Sequence, residues 1–145
     1  MNIKPAVSDA EIDACFPVVS QLRPHVTREE FVARVRRQEQ AGYCLAYVEM
    51  DGRPVAVAGF RTLDTLWAGR LLYVDDLVTD EAMRSNGHGA ALLAWLRAHA
   101  AASGCASLHL DTGVQRADAQ RFYERENMRR TAYHYEAVLG SKEKL

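Results

Sequence analysis

Cysteine is scarce: Cys15, Cys44 and Cys105 are the only three in 145 residues, too few and too scattered for a disulfide framework or a zinc-ligand pair. Each sits among apolar neighbours and reads as a buried free thiol. A surplus of one charge is missing as well. Eighteen basic side chains face nineteen acidic ones, a formal net charge of −1, which gives no global attraction for nucleic acid or an acidic membrane surface. The longest strongly apolar run, Gly89 to Leu96, falls far short of the roughly 20 residues that a bilayer requires. No basic start with an apolar core opens the N-terminus, MNIKPAVSDAEID, so no secretory signal is expected and the cytoplasm is the expected location. His25, His109 and His134 share no metal-ligand spacing, and no metal is expected. Repeats, low-complexity tracts and internal linkers are also absent, which predicts a single domain over 1–145 with 139–145 as a frayed tail.

What remains is a soluble globular composition, 48% apolar, with clear element boundaries. Around Ile3 a short extended start is expected. Ser8 can cap a helix through DAEIDACF, and Pro17 begins or interrupts a further helical turn. Thr27-Arg28-Glu29-Glu30 is a capping box that opens a helix through about Gln40, and Gly42 ends it. YCLAYVEM and RPVAVAGFRT are β-rich runs joined by Asp51-Gly52, a strong hairpin signal. RLLYVDDLVT, set off by LDTLWAG, pairs back as a third strand. A helix from Gly87 to about Ser103, a strand CASLHLDT, a helix ADAQRFYERE ending at Asn127 and a final strand RRTAYHYEAVL complete the order. This is an α/β or α+β sandwich of helices around a mixed sheet.

The chemistry concentrates in EAMRSNGHGAALLAWL, residues 81–96. The first turn of a helix carries N–H groups without intrahelical partners and a partial positive charge, so it attracts anions. Gly87 and Gly89 remove the Cβ atoms that would hold a phosphate away, and Arg84 adds a fork of donors. A P-loop needs Gly-Lys-Ser/Thr where this chain has Gly89-Ala90-Ala91, which removes the lysine and the magnesium hydroxyl. A dinucleotide fingerprint needs a third glycine where Leu92 stands. A pyrophosphate cradle and a loop that simply needs glycines for its turn remain as the two readings.

The run DDLVT, then Arg84-x-x-Gly87-x-Gly89-Ala90 and an apolar helix, resembles the coenzyme A signature of GNAT-superfamily N-acetyltransferases. Ala119-x-x-Phe122-Tyr123-Glu124 resembles that family's second motif, at the appropriate separation. The resemblance implies a mixed, mostly antiparallel central sheet of about six to seven strands flanked by about four helices. It implies acetyl-CoA as cosubstrate, with the pantetheine arm beside the backbone of Leu77, Val78 and Thr79. The pyrophosphate would meet the amides from Asn86 through Gly87, His88 and Gly89 to Ala90, with Arg84 and Ser85 at the rim. His88 reads as a solvent-facing spacer. Arg116 stands where the family frequently has an asparagine that contacts the coenzyme.

By the same resemblance, Tyr123 matches the tyrosine that protonates the leaving thiolate. The amine nucleophile must lose a proton, directly or through water. Asp76 falls where many family members carry a glutamate and is the favoured base. Asp75, its neighbour, attracts the cationic substrate or sits in solvent, and strand alternation sends the two to opposite faces. The implied reaction is acetylation of a small-molecule amine by direct attack in a ternary complex. Acetylation of a protein N-terminus or lysine, and a non-catalytic coenzyme A sensor, are the competing readings. The run GVQRADAQRFYERENM is similar to the corresponding stretch of aminoalkylphosphonate N-acetyltransferases, and a homodimer is compatible with the family.

Overall fold

The N-terminal helices begin where the chain offers caps. In the computed structural model, which describes residues 1–140, Ser8 and Glu11 form a reciprocal capping box at α1 (Asp9–Ala14). Thr27 and Glu30 form another at α3 (Arg28–Glu39). Pro17 lies in the first turn of α2 (Phe16–Leu22), where its missing N–H removes no helical bond.

One sheet of five strands runs in chain order: β1 (Asn2–Pro5), β2 (Cys44–Met50), β3 (Arg53–Thr65), β4 (Gly69–Thr79) and β5 (Ser107–Leu110). Every pairing is antiparallel except β4 with β5. Asp51 and Gly52 take φ of 52° and 76°, the two left-handed residues that a tight β2–β3 hairpin requires. The sheet is the middle layer. On one face α1, α2 and α3 bury Ile12, Val18, Phe31 and Val35 against Leu45, Tyr47, Val57 and Val78. On the other, α4 (His88–Ala102) lays Leu92, Leu93 and Leu96 over Ala46, Ala56, Ala58 and Leu72, and α5 (Ala117–Arg125) adds Phe122 and Tyr123. Among the described residues no helix is long and apolar enough to cross a membrane.

β4 carries one residue too many for its partner. Gly59 faces Asp76 and Phe60 faces Val74, so Asp75 is bulged out of the β3–β4 ladder. The bulge reverses the alternation. Val74 faces α4, whereas Asp76 and Val78 turn to the side of α2. The expectation that Asp75 and Asp76 lie on opposite faces is therefore wrong, since both reach partners on the α2 side.

Two other expectations are corrected. The described residues hold five strands rather than about six to seven, because residues 129–139 form no strand, while the five α-helices agree with the expected number of about four. Tyr133 and Tyr135 there are 83% and 89% exposed. Alternating residues specify a strand only where a sheet edge and a covered face receive them, and no described strand does. The buried-thiol reading holds for Cys15, whose burial pushes the thiol up to about 12, but Cys44 is exposed and Cys105 half-buried. Of the expected frayed tail, residues 141–145 lie outside the described residues.

Packing at the bulge leaves no room for a side chain at residue 59. A Cβ on Gly59 would lie 1.8 Å from the Tyr43 hydroxyl oxygen. Gly59→Ala is expected to cost about 1–3 kcal/mol in chemical denaturation, through displacement of Tyr43. An unchanged midpoint would contradict this packing.

Candidate active site

β5 runs beside β4 only from Leu71 to Val74. From Asp75 to Thr79 β4 continues on β3 alone, so its other edge is left unpaired where the two strands part. A narrow cleft of about 30 Å³ opens there, with Asp75, Leu77, Leu110, Asp111, Arg116 and Tyr123 in its lining. β4 then leads into the glycine-bearing segment.

After a single 3-10 turn (Glu81–Met83) capped by Asp80, Arg84 is extended, and Ser85 and Gly87 take φ of 68° and 81°. These left-handed residues turn the chain sharply into α4. No side chain caps that helix, and the first bond returned to Gly87 comes from the Ala91 N–H. The amides of Gly87, His88, Gly89 and Ala90 consequently have no protein acceptor among the described residues. Arg84, Ser85 and Asn86 are exposed at the rim, and Asn86 donates from its amide to the Met83 carbonyl at 3.2 Å. A Cβ built on Gly89 would lie 3.4 Å from the Phe122 ring and 3.5 Å from the Thr79 hydroxyl. The end of β4, the start of α4 and α5 thus meet at one point. Such a row of free, converging amides fits a pyrophosphate.

His88 is not the solvent-facing spacer that the sequence suggests. It is only 3% exposed, with both ring nitrogens unpartnered. The reason is helical spacing: His88, Leu92, Leu96 and Ala100 recur every four residues and form the buried stripe of α4. Val78 is likewise buried and lies outside the cleft lining.

The two aspartates are held by arginines that local spacing did not reveal. Asp76 accepts from Arg23 Nε at 2.9 Å and from the Tyr43 hydroxyl at 2.6 Å. Asp75 is gripped by both ends of the Arg61 guanidinium, at 3.0 and 2.7 Å, and its carbonyl accepts from Arg23 at 3.0 Å. Desolvation nevertheless raises the Asp75 carboxyl above its ordinary range, with Arg61 opposing. Burial and the neighbouring Asp76 push the Tyr43 phenol well up. Across the cleft, Asp111 accepts from the Tyr73 hydroxyl at 2.5 Å, and His134 Nδ1 lies 3.5 Å away. Burial raises the Tyr123 phenol while the Arg116 charge pulls the other way, and its hydroxyl takes no partner among the described residues. Trp67 is 74% exposed at the β3–β4 tip, edge-on to His109, away from the cleft lining.

Comparison with known proteins bears on the fold and the family. The model of the acetyltransferase (GNAT) family matches residues 8–127. An uncharacterized N-acetyltransferase of Bacillus subtilis, YhdJ, is 28% identical over 124 residues, covering 85% of this chain and 87% of that protein. An aminoalkylphosphonate N-acetyltransferase of Salmonella typhimurium is 33% identical over 73 residues, 50% of this chain and 46% of its own. Among solved structures, an aminoglycoside N-acetyltransferase in complex with CoA superposes with a TM-score of 0.82 at 14% identity, over 97% of this chain and 95% of that one. The fold and the family match define an acetyl-CoA-dependent acyltransferase. More particularly, the chain belongs to the acetyltransferase (GNAT) family.

The ion pairs of the cleft wall carry a pH signature. Arg61→Gln leaves Asp75 in a half-buried place without its cation, which raises its folded-state pKa further above the unfolded value. A carboxyl raised on folding destabilises once ionised, so the deficit should be full at neutral pH and shrink as pH falls toward the unfolded pKa. Thermal denaturation of variant and wild type between pH 7 and 4 checks this; a deficit independent of pH would contradict it.

Proposed function

We propose that this chain transfers the acetyl group of acetyl-CoA to a primary amine of a small molecule, by direct attack in a ternary complex. The observation that carries the reading is the continuity of the unpaired β4 edge with four amides that lack acceptors at the head of α4. One provides backbone partners for an amide-bearing arm, the other a seat for its pyrophosphate. Leu77, Val78 and Thr79 would meet the arm, the amides from Asn86 to Ala90 the phosphates, with Arg84 and Ser85 at the rim. Acetyl-CoA supplies the thioester, an acyl group activated toward nucleophiles.

Within the cleft the amine nitrogen bonds to the acetyl carbon as the C–S bond breaks, the departing sulfur takes the Tyr123 phenolic proton, and the proton that the new amide nitrogen sheds restores the phenol. A phenol raised by burial stays protonated at neutral pH and is available as that acid. The proton that the ammonium must lose goes to a carboxylate, directly or through water. Both carboxylates have both oxygens engaged, Asp75 by Arg61 and Asp76 by Arg23 and Tyr43, but only Asp75 lines the cleft, so it is the better placed of the two by position. The partial likeness to an aminoalkylphosphonate N-acetyltransferase supports a small acceptor.

Thiol release from acetyl-CoA in the presence of a panel of amines, amino acids and peptides tests the reading. Turnover is expected with small amines, and Tyr123→Phe should lower kcat by about 100-fold and alter the alkaline limb of its pH profile. Binding of acetyl-CoA without acceleration by any amine would overturn catalysis. An unchanged rate and profile in Tyr123→Phe would remove the tyrosine from the acid role.

A further inference from the structure

We infer that the acceptor amine also carries an acidic group, with Arg116 holding the anion and Asp111 the ammonium; the inference rests on the acetyl-transfer reading above. It follows from the charges of the cleft wall. Asp75 is neutralised by Arg61 and Asp76 by Arg23, each through direct contacts of 3.0 Å or less. Neither aspartate has a charge to spare for a ligand. Two charges in the lining are left over, one of each sign.

The first is Arg116, whose guanidinium makes no hydrogen bond or ion pair with the described protein and acts only as a nearby charge on Tyr123. The second is Asp111, whose carboxylate receives a neutral phenol from Tyr73 and has an imidazole, not an arginine, on its other side. The Asp111 side chain is 51% exposed and Arg116 is exposed too, so both stand at the rim, where a solute enters.

A plain amine or polyamine answers only Asp111 and is repelled by Arg116. A molecule with an ammonium at one end and a carboxylate, sulfonate or phosphonate at the other answers both. The planar fork of arginine accepts any of these anions through paired, charge-assisted hydrogen bonds. Because Arg116 and Tyr123 share the lining, an anion held at Arg116 keeps the amine close to the reacting thioester. Arg116 then serves the acceptor rather than the coenzyme, and the two roles are experimentally separable.

The test is steady-state acetylation at saturating acetyl-CoA of β-alanine, taurine and 2-aminoethylphosphonate against β-alaninamide and 1,3-diaminopropane. The acids should exceed the amide in kcat/KM by about tenfold to a hundredfold. Arg116→Gln should erase that advantage through the acceptor KM, leave calorimetric affinity for CoA unchanged, and be partly rescued by Arg116→Lys. Equal use of amide and acid by the wild type would overturn the inference and leave acetyl transfer standing. So would an Arg116→Gln variant that loses CoA affinity and weakens all acceptors alike. Failure to acetylate any amine would overturn both readings.

Discussion

One unpaired residue, Asp75, sets the shape of the cleft. Up to Val74, β4 is an interior strand with β3 on one side and β5 on the other. At Asp75 the ladder to β3 slips by a residue and the ladder to β5 ends, so the following stretch gains a free edge and a reversed alternation together. An unpaired edge inside a protein leaves backbone donors and acceptors without partners, which is costly unless something else satisfies them. Here Arg23 takes the Asp75 carbonyl, and Leu77 lines the cleft. The bulge also turns Asp76 toward Tyr43, whose ring occupies the space a side chain at Gly59 would need.

Electrostatics follow from that geometry. Bringing two carboxylates to one side of a sheet is unfavourable until each is paired, and the chain supplies Arg61 and Arg23 from different elements to do so. The wall thereby becomes internally neutral. Other polar groups of the site lie elsewhere, at the amides opening α4, at Arg84 beside them, and at Arg116 and Asp111 on the rim. The proposed seat for the anion thus rests on backbone, and the proposed seat for the amine on side chains drawn from several separate segments.

This division explains what the sequence discloses. Capping boxes, the Asp51-Gly52 hairpin and the glycines opening α4 are local, because each depends on residues a few positions apart, and the structure contains them. The joining of Thr79, Gly89 and Phe122 at one point follows from element order. Non-local facts stayed hidden: the bulge at Asp75 adds no residue type that marks it, and Arg23, Tyr43 and Arg61 reach their carboxylates from 14 to 53 positions away. His88 was legible, since its four-residue spacing to Leu92 and Leu96 announces a buried face, but its polarity argued the other way. The alternating run at 129–139 has strand chemistry yet pairs with no described strand, although the outer edge of β5 is open, and alternation alone does not create a pairing.

The central claim is that the free edge of β4 and the uncapped start of α4 form one continuous seat for coenzyme A. Backbone amide chemical shifts during titration with CoA test it residue by residue. The account requires the largest changes at Leu77–Thr79 and Gly87–Ala90, in a single saturating process. Saturation with these amides unmoved, and the changes gathered instead along the outer edge of β5, would contradict it.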